Sequence, residues 1–153
     1  MGGQYVHRPV IAPAAADDAA AVVALWHACG LTRLWNDPRA DFARALDGVQ
    51  SDILVARDGG VIGSVMVGQD GHRGWLYYLA VRADRRGQGI GSALFAAAED
   101  WLRMAGAPKV QLMVRSDNPA AMDFYASRGL QRQDVAVFGR FLGEPLETPD
   151  SRL

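Results

Sequence analysis

The spacing of apolar residues in the first third of the chain predicts one strand and two helices. A short apolar run between prolines, residues 9–13, is typical of an edge strand. Apolar positions over residues 19–29 follow helical spacing, with Asp17 or Asp18 as the candidate cap. Asp37 followed by Pro38 indicates the cap and first turn of a second helix.

Three apolar runs with tight turns between them predict an antiparallel meander in the middle of the chain. The runs cover residues 52–57, 61–69 and 75–81, and the turns have the sequences DGG and DG. Short turns of this composition join neighbouring antiparallel strands. The third run leads into a glycine-rich segment and then into another helical pattern.

The remaining pattern completes a mixed α/β sheet. A helix after residue 90 is followed by an apolar run over residues 109–114, and a strand, helix, strand crossover favours parallel placement of the two strands. A last helix begins near residue 118, where Asp117 or Asn118 is the candidate cap, and weak alternation over residues 131–142 predicts one or two closing strands. The pattern therefore predicts six to seven strands and about four helices.

Composition indicates a single globular domain. The chain has 153 residues, 50% of them hydrophobic and 22% charged, with a net charge of −1. We expect the domain to span residues 9–143, between a loosely held leader (1–8) and a polar tail (144–153).

Charge and hydropathy argue against several classes of partner. A near-neutral chain creates no field that attracts nucleic acid, and no apolar run reaches the length of a membrane span. The cytoplasm is the expected location. The three histidines and the single cysteine lack metal-ligand spacing, and Cys29 is expected to be a small buried residue rather than a nucleophile.

The glycine-rich segment RRGQGIG, residues 85–91, is the first candidate for chemistry. A turn between a strand and a helix leaves main-chain N–H groups unpaired at the helix N-terminus, where anions bind well. Gly87, Gly89 and Gly91 allow positive φ and close approach of a diphosphate, while Arg85 and Arg86 add charge. A glycine-rich connection that binds nothing is the alternative.

Two common phosphate-binding motifs do not fit this segment. The P-loop pattern GxxxxGK[ST] is absent, and GQGIGS lacks the third glycine of the dinucleotide fingerprint. The segment instead resembles the [QR]xxGx[GA] signature of the GNAT acyltransferases, with Arg86, Gly89 and Gly91 in the defining positions.

The resemblance implies a GNAT fold and acetyl-CoA as cosubstrate. In that family the turn binds the pyrophosphate and the main chain of the preceding strand holds the pantetheine arm. The strand residues implied here are Leu79, Ala80 and Val81, with the Leu79 amide closest to the acetyl carbonyl. The implied pyrophosphate site consists of Arg86, Gly87, Gln88, Gly89, Ile90, Gly91 and Ser92.

A second constellation pairs Asn118 with Tyr125. The two residues are seven positions apart, which places them on one helix face about 10 Å apart. Together with Phe124, Gly129 and Leu130 they resemble the GNAT pattern N…LYxxxGF. The resemblance implies that Asn118 hydrogen-bonds the pantetheine arm and that Tyr125 is the general acid for the leaving thiolate; a purely packing role is the alternative for Tyr125.

The implied function is transfer of an acetyl group to a primary amine, and a non-catalytic acyl-CoA sensor is the alternative. Many relatives carry a glutamate that acts as the general base at the position of Trp75 or of Met113. This chain has no glutamate at either position, so the resemblance implies no general base here. Asp37, Asp70, His72 or water remain candidates. Substrate contacts are expected at Trp35, Asn36, Asp37, Asp70 and His72. Local capping is the alternative for residues 35–37, and an exposed turn position without a role is the alternative for His72. The likeness extends to small bacterial acetyltransferases, and exposed apolar residues near 135–142 would allow a homodimer.

Overall fold

The computed structural model describes residues 8–146 and shows a five-stranded mixed sheet flanked by four helices. The strands are β1 (Val10–Pro13), β2 (Ser51–Arg57), β3 (Val61–Gln69), β4 (Gly74–Val81) and β5 (Val110–Leu112). The helices are α1 (Ala19–Ala28), α2 (Pro38–Asp47), α3 (Ile90–Met104) and α4 (Pro119–Ser127). The strands lie in chain order, all neighbours being antiparallel except β4 and β5, which are parallel as predicted.

The prediction of closing strands over residues 131–142 was wrong. Residues 131–141 form no regular structure, and their side chains are exposed, including Val135, Val137 and Phe138. Alternation defines which side chains could share a face, but a strand also needs a partner for its main-chain groups. The sheet therefore has five strands within residues 8–146, with β5 at its edge.

The helices cover both faces of the sheet. On one face α3 buries Leu94, Phe95 and Leu102 against the sheet. On the other face α1 and α2 bury Trp26 and Phe42. The predicted leader and tail lie largely outside the described residues. Within residues 8–146 no helix is long and apolar enough to cross a bilayer.

Two glycines let α3 lie close to the sheet. A Cβ added at Gly63 would stand 2.8 Å from Leu94 Cδ1, and one at Gly74 would stand 2.6 Å from Leu102 Cδ2. Side-chain atoms cannot approach that closely without displacing the helix. Gly63 and Gly74 thus fix α3 against the sheet near both of its ends, and its N-terminus lies beyond the end of β4.

Polar side chains at the helix starts mostly match the predicted caps. Asp37 accepts from Arg39 N at 3.0 Å, and Asn118 accepts from Ala121 N at 3.1 Å. Asp18 is different: it precedes α1, but its carboxylate accepts from Ala15 N at 2.8 Å and binds the Arg57 guanidinium of β2. Asp18 therefore joins the start of α1 to the sheet.

Substituting Asp18→Asn should lower stability at neutral pH and flatten its acid dependence. Arg57 and the Ala15 amide lower the pKa of Asp18, so the stabilisation is present above the unfolded-state pKa and is lost as the pH falls through the lower folded-state pKa. We expect a loss of about 1–2 kcal/mol at pH 7 in urea unfolding. The exposed neighbour Asp17→Asn is the matched control, and equal effects of the two variants would contradict this role.

Candidate active site

The glycine-rich turn has the geometry of an anion site. Gly87 and Gly89 have φ of 76° and 80°, values that favour glycine, and α3 begins directly after Gly89. The first helical bond runs from Ala93 N to Gly89 O at 3.0 Å. The N–H groups of residues 90–92 therefore precede the helical bonds and can receive an anion.

Gly91 does not have the positive φ that the sequence suggested. It lies in the first turn of α3 with an ordinary helical backbone. A Cβ at Gly91 would stand 3.6 Å from Val81 Cγ2 and 3.7 Å from the Phe124 ring. Both neighbours line the cleft described below. Glycine at this position therefore keeps space in the cleft rather than permitting an unusual backbone.

Of the two arginines expected at the rim, Arg86 alone is without a carboxylate partner within residues 8–146. Arg85 forms an ion pair with Asp58 at 2.9 Å and donates to Gln88 Oε1 at 3.0 Å, which occupies the Gln88 side chain as well. Arg86 is exposed and donates to the Val81 carbonyl and the Cys29 sulfur. Of these two arginines, Arg86 is therefore the one whose charge is available to an anion, and Arg128 also lines the cleft.

β4 and β5 diverge and open a cleft next to this turn. They pair only from Gly74 to Leu76, whereas β4 continues to Val81. Beyond Leu76 this edge of β4 has no strand partner within residues 8–146. The resulting cradle cleft has a volume of about 690 Å³. It is lined by Leu79, Ala80 and Val81, by Arg86, Gly87, Gly89, Ile90, Gly91 and Ser92, and by Asn118 and Tyr125.

The structure therefore brings together nearly every residue expected to bind the cofactor. Gln88 is the exception, because it does not line the cleft and its side chain serves Arg85. Tyr125 is half-buried, with its ring centroid 6.1 Å from that of Phe95. Burial raises the pKa of Tyr125 above its ordinary value, so the hydroxyl keeps its proton at physiological pH.

A β-bulge interrupts β4 beside the cradle cleft. Met66 faces Tyr77 and Ser64 faces Ala80, so that Tyr78 and Leu79 together stand opposite Val65. Tyr78 has φ of 53°, and within residues 8–146 it is the only residue other than glycine with positive φ. Such a backbone costs about 1–3 kcal/mol and persists where its surroundings hold it.

The bulge changes which side chains share a face. Leu76 and Leu79 pack with the α3 core, while Tyr78 and Ala80 pack with the α1 and α2 core. In a regular strand Leu76 and Tyr78 would point to the same face. Because of this slip, the successive residues Tyr77 and Tyr78 both line a cleft on the α1 and α2 face, and the alternation resumes at Leu79.

The second cleft lies on the α1 and α2 face and is here called the tyrosine cleft. It has a volume of about 560 Å³, and Tyr77, Tyr78, Met66, Asn36, Asp41 and Arg44 are among its lining residues. Leu31 lines both this cleft and the cradle cleft. The two clefts therefore adjoin at Leu31 and at the bulge.

The tyrosine cleft contains a hydrogen-bonded carboxylate, Asp41, that no sequence motif indicated. Asp41 accepts from the Tyr78 hydroxyl at 2.7 Å and from Arg44 Nη2 at 2.7 Å. Burial first, and then the Asp41 carboxylate, raise the pKa of Tyr78 far above its ordinary value. Asp41 and Tyr78 are 37 residues apart in the chain, so no local motif could reveal the contact.

The predicted substrate residues divide into one that lines a cleft and four that do not. Asn36 lines the tyrosine cleft, whereas Trp35, Asp37, Asp70 and His72 line neither cleft. Asp37 caps α2. Asp70 accepts from Arg73 N, His72 N and Trp75 Nε1 at the β3–β4 turn, and these bonds lower its pKa to about 2. A carboxylate so stabilised is a poor base.

Comparison with known proteins identifies the family. The family model described as Acetyltransferase (GNAT) family matches residues 20–130, a range that includes both clefts' sheet residues, the glycine-rich turn, Asn118 and Tyr125. The chain belongs to the GNAT acetyltransferase family. It is accordingly an acetyltransferase, and its cosubstrate is acetyl-CoA.

Sequence relatives of this GNAT protein include bacterial proteins named acetyltransferase. One from Pectobacterium atrosepticum is 45% identical over 132 residues, covering 86% of this chain and 94% of the relative. Another from Sodalis glossinidius is 45% identical over 133 residues with the same coverage.

Solved structures share the fold at lower identity. An aminoglycoside acetyltransferase from a soil metagenomic sample, in complex with trehalose, aligns with a TM-score of 0.74 at 20% identity, covering 92% of this chain and 100% of that one. AAC(6')-Iy in complex with a CoA-based bisubstrate analogue aligns with a TM-score of 0.73 at 16% identity, covering 87% and 97%.

Substituting Gly91→Ala should weaken coenzyme binding without destabilising the protein. The added methyl group fits at van der Waals distance from Val81 and Phe124 but occupies the cradle cleft. Alanine also favours the helix over glycine. We expect the Kd for CoA in calorimetry to rise about fivefold, equivalent to roughly 1 kcal/mol. An unchanged Kd in a protein of normal thermal stability would place the coenzyme elsewhere.

Proposed function

We propose that this GNAT protein moves an acetyl group directly from acetyl-CoA to a primary amine, and that the two reactants meet at the β4 bulge. The observation that carries the proposal is the junction of the two clefts. Tyr78 lines the tyrosine cleft, Leu79 lines the cradle cleft, and Leu31 lines both. Direct transfer requires both reactants to be held side by side, and this arrangement supplies adjoining compartments.

In this proposal the cradle cleft holds acetyl-CoA along its length. The N–H groups of residues 90–92 and the Arg86 guanidinium receive the pyrophosphate. The open edge of β4 over residues 79–81 offers main-chain groups to the pantetheine amides, as a neighbouring strand would use them. Asn118 lies across the cleft, where its side-chain amide can contact the same arm.

The chemical step is then an aminolysis of the thioester. The neutral amine attacks the acetyl carbonyl, the Leu79 N–H donates to the oxyanion that forms, and a C–N bond replaces the C–S bond. Tyr125 donates its proton to the departing thiolate and regains one from solvent once CoA has left. The proton released by the amine passes to water, because Asp37 and Asp70 are committed to local hydrogen bonds and His72 lies on the exposed β3–β4 turn.

The charges of the tyrosine cleft indicate which net charge the acceptor amine should carry. Asp41 is the one carboxylate among its lining residues, and it is already bonded to Arg44 and Tyr78. The formal charges of Asp41 and Arg44 cancel. We therefore expect amines with a single positive charge, including a small metabolite, a peptide N-terminus or a lysine side chain, to be preferred over polycationic aminoglycosides.

The function can be tested by release of free CoA from acetyl-CoA across a panel of amino acids, peptides, polyamines and aminoglycosides. We expect amine-dependent release, fastest with singly charged amines, and an N-acetylated product of mass increased by one acetyl group. Release without an acetylated product would indicate hydrolysis. Tight CoA binding with no turnover on any amine would contradict the proposed amine acceptor and favour an acyl-CoA sensor.

Tyr125→Phe tests the proposed acid. Because burial raises its pKa, Tyr125 stays protonated through neutral pH, so kcat should show no decrease attributable to this group between about pH 6 and pH 8. The phenylalanine variant should bind CoA with unchanged affinity but lose about 10²-fold or more in kcat. Retention of full kcat with normal CoA binding would remove Tyr125 from the mechanism.

Homodimer formation and a cytoplasmic location stay predictions. Val135, Phe138 and Leu142 are 73%, 94% and 98% exposed in the chain by itself, which is compatible with pairing through residues 135–142.

A further inference from the structure

We propose that Ser64 is a positioning residue that aims the Leu79 N–H into the cradle cleft. The inference rests on the proposed function, in which that N–H stabilises the oxyanion. Ser64 lies in β3, away from every motif in the sequence. Asp18 and Ser64 are the two buried polar or charged residues within residues 8–146, and Ser64 is 0% exposed.

The Ser64 hydroxyl joins two groups in a directed chain of hydrogen bonds. Trp26 Nε1 donates to Ser64 Oγ at 2.9 Å, and Ser64 Oγ donates to the Tyr78 carbonyl at 3.4 Å. An indole N–H can only donate, so the hydroxyl accepts from Trp26 and turns its own proton towards Tyr78. Trp26 is itself 0% exposed in α1, so the first donor of this hydrogen-bond series is held in place by its packing.

The Tyr78 carbonyl and the Leu79 N–H belong to one peptide group. In a planar trans peptide the C=O and N–H bonds point in opposite directions. Holding the carbonyl towards Ser64 on β3 therefore turns the Leu79 N–H away from β3. The opposite edge of β4 is the one that loses β5 after Leu76 and opens into the cradle cleft.

Contacts of the Tyr78 side chain also restrain this peptide group, because they fix the residue whose Cα atom precedes it. The Tyr78 ring stacks on Trp26 with centroids 3.9 Å apart, and its hydroxyl donates to Asp41. Trp26 thus contacts both Tyr78 and Ser64. A donor to the carbonyl also polarises the peptide group and strengthens its N–H as a donor. Ser64 acts through Leu79 and touches neither reactant in this arrangement.

Ser64→Ala tests the inference, with Asp18→Asn as the matched control for loss of a buried polar contact. We expect Ser64→Ala to lower kcat about ten- to hundredfold, somewhat less than removal of an oxyanion donor. Its KM for acetyl-CoA and its Kd for CoA should change less than about twofold, because the coenzyme is gripped at the cradle. Asp18→Asn should lose stability but keep kcat. Ser64→Cys, which keeps the volume and a weak donor, should recover part of the lost kcat and serves if the alanine variant does not fold.

A spectroscopic measurement separates this inference from the proposed function. In a ¹H–¹⁵N spectrum of the wild type, acetyl-CoA should shift the amide signals of both Leu79 and Ser92. In Ser64→Ala the Ser92 response should persist and the Leu79 response should be reduced.

If the wild type turns over and its Leu79 signal shifts, and if Ser64→Ala and Ser64→Cys behave in the same way, the role of Ser64 is overturned while the proposed function stands. No turnover and no Leu79 response in the wild type would overturn the proposed function and the role of Ser64 with it.

Discussion

The candidate site depends on one edge of β4, where the main-chain groups beyond Leu76 have no strand partner within the described residues. A sheet normally satisfies its N–H and C=O groups by pairing, and unpaired groups are costly unless water or a ligand receives them. Here β5 leaves β4 after Leu76, and the bulge at Tyr78 and Leu79 redirects the chain just beyond that point. The result is a stretch of the β4 edge that has no strand partner within the described residues and lies next to a helix N-terminus. An extended cosubstrate with amides in its arm and phosphates at its end matches both features.

The position of α3 links the proposed phosphate end of the candidate site to the core. Gly63 and Gly74 allow the helix to lie against the sheet, and Leu94 and Leu102 occupy the space that their side chains would take. The N–H groups at the start of α3 are consequently held at a fixed distance from the end of β4. The proposed diphosphate site therefore draws its main-chain donors from the first turn of a helix that is packed against the sheet.

Much of the fold, and which residues line the candidate site, could be predicted from the sequence because the signals are local. The caps at Asp37 and Asn118, the turns between β2, β3 and β4, and the spacing of Gly87 and Gly89 each depend on neighbours within a few residues. The bulge could not be predicted, since an unbroken apolar run conceals a change of face between Leu76 and Tyr78. Contacts of Trp26 with Ser64 and of Tyr78 with Asp41 span 38 and 37 residues and need the assembled sheet. The prediction of closing strands over residues 131–142 was wrong for the converse reason, because the sequence alternates there but no partner strand is present within the described residues.

The single cysteine of the chain provides a site for chemical labelling in the cradle cleft. Cys29 lines the cleft, half-buried, with its sulfur 3.4 Å from the Val81 carbonyl and 3.6 Å from Arg86 Nη2. Since the sequence has one cysteine, a maleimide or haloacetamide label reports on this position alone. A coenzyme bound as proposed would cover the sulfur, so the labelled fraction measured by mass spectrometry would report the occupancy of the cleft. The same residue adds one background equivalent per chain to any colorimetric thiol assay, which has to be subtracted from the signal of the product.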